Sequence, residues 1–175
     1  GAGGGHGSRR RLGCGAGDVS FLAAAFVGAS GSVLGIDQSP ESVSLATERA
    51  KEAGLGNVRF EVSLLEAFRD GGPFDALVGR LVLLYLRDPA EVLDQLASLV
   101  RPGGIIAFQE MEMTTARAVP EVPLLAQCGR WIVEAFTRAG VETSMGSRLR
   151  SIFLRAGWPE PQMITGGRVE GSAES

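Results

Sequence analysis

Apolar residues change their spacing several times along this chain, and each change marks a new element. Over residues 18–27, Phe21, Leu22, Ala25 and Phe26 recur at helical intervals, predicting a helix that buries that face. A short first strand is expected just ahead of Gly13, and residues 32–37 read as the second strand. Ser39-Pro40-Glu41 then offers a capping hydroxyl, a proline suited to the first helical position and an acid for the first turn. Gly54 should stop that helix, and residues 57–62 alternate as a third strand. The run 74–84, interrupted by Gly79 and Arg80, suits a buried parallel strand that passes into a loop. Asp88-Pro89 starts another helix with Val92, Leu93, Leu96 and Leu99 facing inward, Pro102-Gly103-Gly104 ends it, and residues 105–109 form a fifth strand.

Strands that alternate with helices across short turns predict an α/β fold: a Rossmann-like, doubly wound, mostly parallel sheet flanked by helices. Beyond the fifth strand, residues 122–139 carry Leu125, Trp131, Ile132, Ala135 and Phe136 on one helical period, and residues 147–156 form a shorter amphipathic helix. Residues 1–8 are nearly all Gly, Ala and Ser and read as a flexible tail. The remainder, 9–175, reads as a single domain with a helical segment at about 120–157 that either covers a pocket or packs as core.

Charge narrows the partners. With 17 Lys and Arg against 20 Asp and Glu, the formal net charge is -3, which argues against nucleic acid, and Arg9-Arg10-Arg11 is too short a run to reverse that. No apolar run approaches the roughly 20 residues of a membrane span, so no membrane association is expected. Cys14 and Cys128 have no metal-ligand spacing and suggest no disulfide framework, which points to a reducing, cytoplasmic compartment and no metal. The only histidine, His6, lies in the tail, which disfavours mechanisms built on a buried histidine.

The chemistry concentrates at Gly13-Cys14-Gly15-Ala16-Gly17, in the turn expected after the first strand. In open parallel sheets the ligand sits beyond the carboxyl ends of the strands, where glycines let backbone amides come close to it. An acid about 20 residues further on can accept both hydroxyls of a ribose, and Asp37 has that position. A dinucleotide site would want a small third residue near the pyrophosphate, but Asp18 stands there. Its charge suits a ligand with a sulfonium and an amino group.

Leu12-Gly13-Cys14-Gly15-Ala16-Gly17-Asp18 and Val33-Leu34-Gly35-Ile36-Asp37-Gln38-Ser39 resemble the first two motifs of the class I S-adenosylmethionine-dependent methyltransferases. Phe74-Asp75-Ala76-Leu77-Val78-Gly79-Arg80 and Leu99-Val100-Arg101-Pro102-Gly103-Gly104 are similar to that family's fourth strand and to the turn before its fifth. The tract from Gly79-Arg80 to Asp88-Pro89 is similar to bacterial small-molecule members. The resemblance implies that Gly13, Gly15 and Gly17 pass the methionine part of S-adenosyl-L-methionine, that Asp37 holds its ribose and that Gln38 flanks its adenine. It places Leu64 at the adenine, and Arg80 and Leu81 along the methionine side. Two positions depart from the pattern: Arg11 replaces a common acid, and Leu64 a common Asp. The family's sheet closes with an antiparallel pair, whereas only residues 166–175 follow the strand expected at 162–165, so the chain reads as truncated.

Methyl transfer is an in-line displacement that needs an aligned acceptor, exclusion of water and at most one proton removed. The polar candidates at the sheet's carboxyl edge are Arg80, Tyr85, Gln109, Glu110 and Glu112, with Glu110 favoured as the catalytic contact or base. Met111 and Met113 suit either an apolar acceptor pocket or plain gap-filling. The expected activity is therefore methyl transfer to a small-molecule acceptor. An NAD(P)-dependent oxidoreductase or a non-catalytic fragment are the alternatives.

Overall fold

The computed structural model describes residues 13–69 and 72–167, so the tail at 1–8 and the strand expected ahead of Gly13 lie outside the described residues. In chain order the described elements are α1 (Asp18–Val27), β1 (Val33–Asp37), α2 (Pro40–Glu52), β2 (Val58–Val62), β3 (Phe74–Arg80), a 3-10 turn (Leu83–Tyr85), α3 (Pro89–Ala97), β4 (Val100–Gln109), α4 (Pro123–Arg138) and α5 (Met145–Arg155). β1 pairs with β2, and β3 with β4, both in parallel. Parallel neighbours need a crossover, and α2 and α3 supply one each. The α/β class with parallel strands is borne out.

Both crossover helices start on the expected caps. The Ser39 hydroxyl accepts the Ser42 amide at 3.1 Å, and Asp88 Oδ1 accepts the Glu91 amide at 3.3 Å, with Pro40 and Pro89 in the first turns. Each satisfies an amide that the helix itself leaves unpaired. The centre of the core is formed by Leu83 and Leu84 of the 3-10 turn, Leu93 of α3, and Met145 and Ile152 of α5. Leu34 and Ile36 of β1 pack against the same cluster, so the two strand pairs share one core.

Four expectations need correction. α1 does not bury Leu22 and Phe26, which are 64% and 91% exposed; it buries Ser20 and Ala24. Small residues let α1 lie close to β1, where a Cβ added at Gly35 would come within 3.0 Å of the Ser20 hydroxyl. α3 ends at Ala97, before Pro102-Gly103-Gly104, and that triplet instead sits inside β4. There it absorbs the jump in pairing from Phe74 opposite Val100 to Ala76 opposite Ile105.

The β3–β4 pair, which forms a sheet separate from β1–β2, is also not covered on both faces among the described residues. On β3 and β4, Ala76, Val78, Ile105 and Ala107 share one exposed face, while Leu77, Ile106 and Phe108 pack on the core. Residues 162–165 form no strand. The segment at 120–157 divides: α5 packs with α3 in the core, whereas α4 has no buried residue and leaves Leu124, Leu125, Trp131 and Ile132 more than half exposed.

Candidate functional site

The expected site residues gather at the carboxyl ends of the four strands. Asp37 ends β1, Ser63 and Leu64 follow β2, Arg80 ends β3, and Glu110 follows β4. This is the edge at which a doubly wound sheet binds its ligand.

At β1, the 13–17 turn is clasped to the strand by backbone and side chain together. The Cys14 amide donates to the Ile36 carbonyl at 2.7 Å, and the Gly15 amide donates to Asp37 Oδ2 at 2.9 Å. Asp37 Oδ1 accepts the Ser39 amide at 2.9 Å, so one carboxylate ties the turn to the start of α2. Asp37 is fully buried. The contact is close enough to require bare backbone: at Gly13, with φ 138°, an added Cβ would lie 2.2 Å from the Ile36 carbonyl oxygen. Gly15 is also left-handed, at φ 54°, but a Cβ there would meet nothing within 4 Å among the described residues. The turn is therefore tight on its strand side and open on the other.

Cys14 lies within this clasp. Burial, with the Asp37 carboxylate adding to it, pushes its thiol up to about 12, so it is a neutral packing group and not a nucleophile. Asp18 does not present an isolated charge. Its Oδ1 lies 3.0 Å from Arg49 Nη1, a residue of α2 that the sequence reading did not single out. The pairing offsets part of the charge that Asp18 sets beside the turn.

Leu64 is 52% exposed beside β2, while its neighbours Leu65 and Phe68 are buried. The Ser63 amide donates to the Asp37 carbonyl at 2.9 Å, so this loop starts directly against the clasped turn. Gln95 of α3 donates to the carbonyls of Leu65 and Phe68 at 2.9 and 2.7 Å and fixes the loop from below. Gln38 is half-buried between Asp37 and the cap of α2.

On β3 the chain leaves the sheet through Leu81, at φ 55°, a left-handed conformation that costs a residue with a side chain about 1–3 kcal/mol. Its amide donates to the Gln109 carbonyl at 2.9 Å, and the next two amides, Val82 and Leu83, both donate to Glu110 Oε1 at 2.9 and 2.8 Å. Glu110 therefore holds the strained turn. Burial raises its carboxyl above the ordinary value, against the pull of the Val82, Leu83 and Leu84 amides. Its second oxygen, Oε2, is buried with no hydrogen-bond partner among the described residues. Arg80 is exposed at the end of β3, opposite Gln109.

Glu112 turns away from this cluster. Its oxygens accept the Ser147 amide at 3.1 Å, the Thr114 amide at 3.3 Å and both hydroxyls, capping the start of α5. No group of His, Cys, Asp and Glu among the described residues could hold a metal ion, and no described helix is long and apolar enough to cross a membrane.

A family model described as a methyltransferase domain matches residues 12–153. Over 108 residues the chain is 33% identical to an arsenite methyltransferase of Aquipseudomonas alcaligenes, covering 57% of this chain and 31% of that protein. It is 37% identical over 100 residues to an aklanonic acid methyltransferase of a Streptomyces species, covering 55% and 44%. An S-adenosylmethionine-dependent methyltransferase structure from Mesorhizobium loti superposes with a TM-score of 0.50 at 28% identity, over 61% of this chain and 47% of that one. The chain thus spans less than half the length of each of these proteins.

Proposed function

Since this chain belongs to the methyltransferase-domain family, we propose that it forms the cofactor-binding part of an enzyme that transfers a methyl group from S-adenosyl-L-methionine to a small molecule. The observation that carries the reading is the Gly15 amide on the buried Asp37 carboxylate, which sets a bare-backbone turn at the carboxyl edge of the parallel strands.

The residues present fit such a cofactor. Gly13 admits no side chain on its strand side, and Gly15 faces open space, so an amino-acid moiety can lie along the turn. Each Asp37 oxygen is engaged by one amide and keeps a further lone pair for a ribose hydroxyl. Because Asp37 is wholly covered, the ribose reaches it only when the turn yields slightly. Gln38 and the half-exposed Leu64 would flank the adenine, with an apolar contact at Leu64 where an acid would accept the amino group. Arg80 and Leu81 would line the methionine side. The bound cofactor supplies a sulfonium-activated methyl carbon.

For the acceptor, Glu110 combines a carboxyl raised above its ordinary value by burial with a buried oxygen, Oε2, that has no hydrogen-bond partner among the described residues. We assign it the acceptor's proton, with Oε1 holding the 81–83 backbone in place. The relatives named for arsenite and aklanonic acid favour a small molecule over nucleic acid or protein as acceptor. The exposed apolar face of α4 would close over it as a cover, within the single domain at 9–175. The free thiols of Cys14 and Cys128 favour a reducing compartment such as the cytoplasm.

Incubation with methyl-labelled S-adenosylmethionine and separate pools of small phenols, quinols and arsenite, of protein, and of nucleic acid tests the proposal. Label in a small-molecule pool with matching S-adenosylhomocysteine supports it. Label confined to protein or nucleic acid contradicts it.

A further inference from the structure

We propose that Arg49 is a positioning residue for the cofactor turn, an inference that rests on reading residues 13–17 as that turn. Arg49 stands in the last turn of α2, but its guanidinium reaches across to the start of α1. Its Nη1 donates to the Ala16 carbonyl at 2.5 Å and lies 3.0 Å from Asp18 Oδ1, while its guanidinium carbon stands 5.1 Å from the centre of the Phe21 ring. These three partners surround Gly17, at φ 91°, which starts α1 without any side-chain cap.

The peptide between Ala16 and Gly17 is gripped at both ends. Arg49 holds its carbonyl, and its N–H, on Gly17, donates to the Cys14 carbonyl at 3.0 Å. A peptide plane flanked by a glycine rotates easily unless both of its polar ends are fixed. Arg49 supplies the outer grip. Asp18 and the Phe21 face in turn keep the guanidinium over the turn, with Phe21 itself held where a Cβ on Gly17 would strike its ring at 2.7 Å.

The arrangement is poorly suited to global stability alone. The side chains of Arg49 and Asp18 are 40% and 60% exposed, and pairs of that kind stabilise a fold very little. An arginine in the last turn of a helix ordinarily serves its own helix's carbonyls. Here it serves a carbonyl 33 residues away, in the turn that must meet the cofactor. A turn confined to few arrangements loses less freedom on binding, so Arg49 acts through preorganisation.

The test compares the wild-type chain with Arg49→Gln and Arg49→Lys by hydrogen exchange and by calorimetric titration of S-adenosylhomocysteine. In Arg49→Gln, amide exchange over residues 14–21 rises about tenfold while β3 and β4 stay unchanged, and binding weakens about tenfold. Arg49→Lys restores the charge toward Asp18 without the planar fork, and falls between the two. Exchange at 14–21 that is unchanged in Arg49→Gln, or that rises equally in β3 and β4, overturns the proposal. If the wild-type chain binds neither S-adenosylmethionine nor S-adenosylhomocysteine, the cofactor reading fails, and the exchange pattern alone still decides whether Arg49 holds the turn.

Discussion

The amide of Gly15 meets the carboxylate of Asp37 at 2.9 Å, across 22 residues of chain, and the other oxygen of that carboxylate takes the Ser39 amide. One buried side chain therefore sets both the glycine turn and the start of α2. In Asp37→Ala two amides lose their acceptor in a site that water does not reach, which costs roughly 2–5 kcal/mol. Chemical denaturation should show that loss, and calorimetry should show no binding of S-adenosylhomocysteine. Asp37→Asn keeps one acceptor oxygen and falls between the two.

The glycines of the turn separate packing from function. Gly13→Ala forces a Cβ to 2.2 Å from the Ile36 carbonyl oxygen at a φ that L residues rarely adopt, and should lose at least about 2 kcal/mol. Gly15→Ala meets no atom of the described residues within 4 Å and carries only the left-handed backbone cost of about 1 kcal/mol. Because its methyl enters the space left for the ligand, it should nonetheless abolish cofactor binding. Denaturation and titration of the two variants together check this ordering.

Glu110 should make its own contribution to stability fall with pH. Burial raises its carboxyl in the folded state above the ordinary 4.5. Its favourable share is fully present below the unfolded value and is lost as pH rises through the folded one. Relative to the wild type, Glu110→Gln should gain stability on the alkaline side of that window, as urea unfolding at a series of pH values would show. The same variant should lose methyl transfer if Glu110 takes the acceptor's proton.

Glu112 and Glu142 have the opposite sign. Burial is the largest single effect on Glu112 and opposes it, but the hydrogen bonds from Ser147 and Thr114 together hold its carboxyl below the ordinary range. Glu142 is lowered chiefly by the Ser144 amide, and by Arg148. Their stabilisation is present above the unfolded value and is lost as pH falls through the folded one. Glu112→Gln should therefore flatten the acid limb of the stability profile, and hydrogen exchange should show α5 loosening first.

Local signals carried most of the fold. Ser39-Pro40 and Asp88-Pro89 announce α2 and α3 because a cap acts within its own turn. The end of α3 was not legible: Pro102-Gly103-Gly104 looks like a helix stop but serves as an irregularity in β4, a distinction that depends on where β3 lies. The buried face of α1 was hidden for a similar reason, since Ser20 and Ala24 are chosen by the closeness of β1 and not by hydrophobicity. Within the site, Asp37 was readable from its spacing after the glycines. Its bond to Gly15 and the reach of Arg49 to Ala16 were not, because side-chain contacts across 22 and 33 residues leave no periodic trace. Glu110 was singled out from its place after β4, but its grip on Val82 and Leu83 emerges only with the strained Leu81 beside it.

The most direct measurement is calorimetric titration of the chain with S-adenosylmethionine, S-adenosylhomocysteine and NAD, repeated on Asp37→Asn. One-to-one binding of the first two is expected, with none of NAD and a marked loss of affinity in the variant. Binding of NAD alone, or S-adenosylmethionine affinity untouched by the change at Asp37, would contradict it.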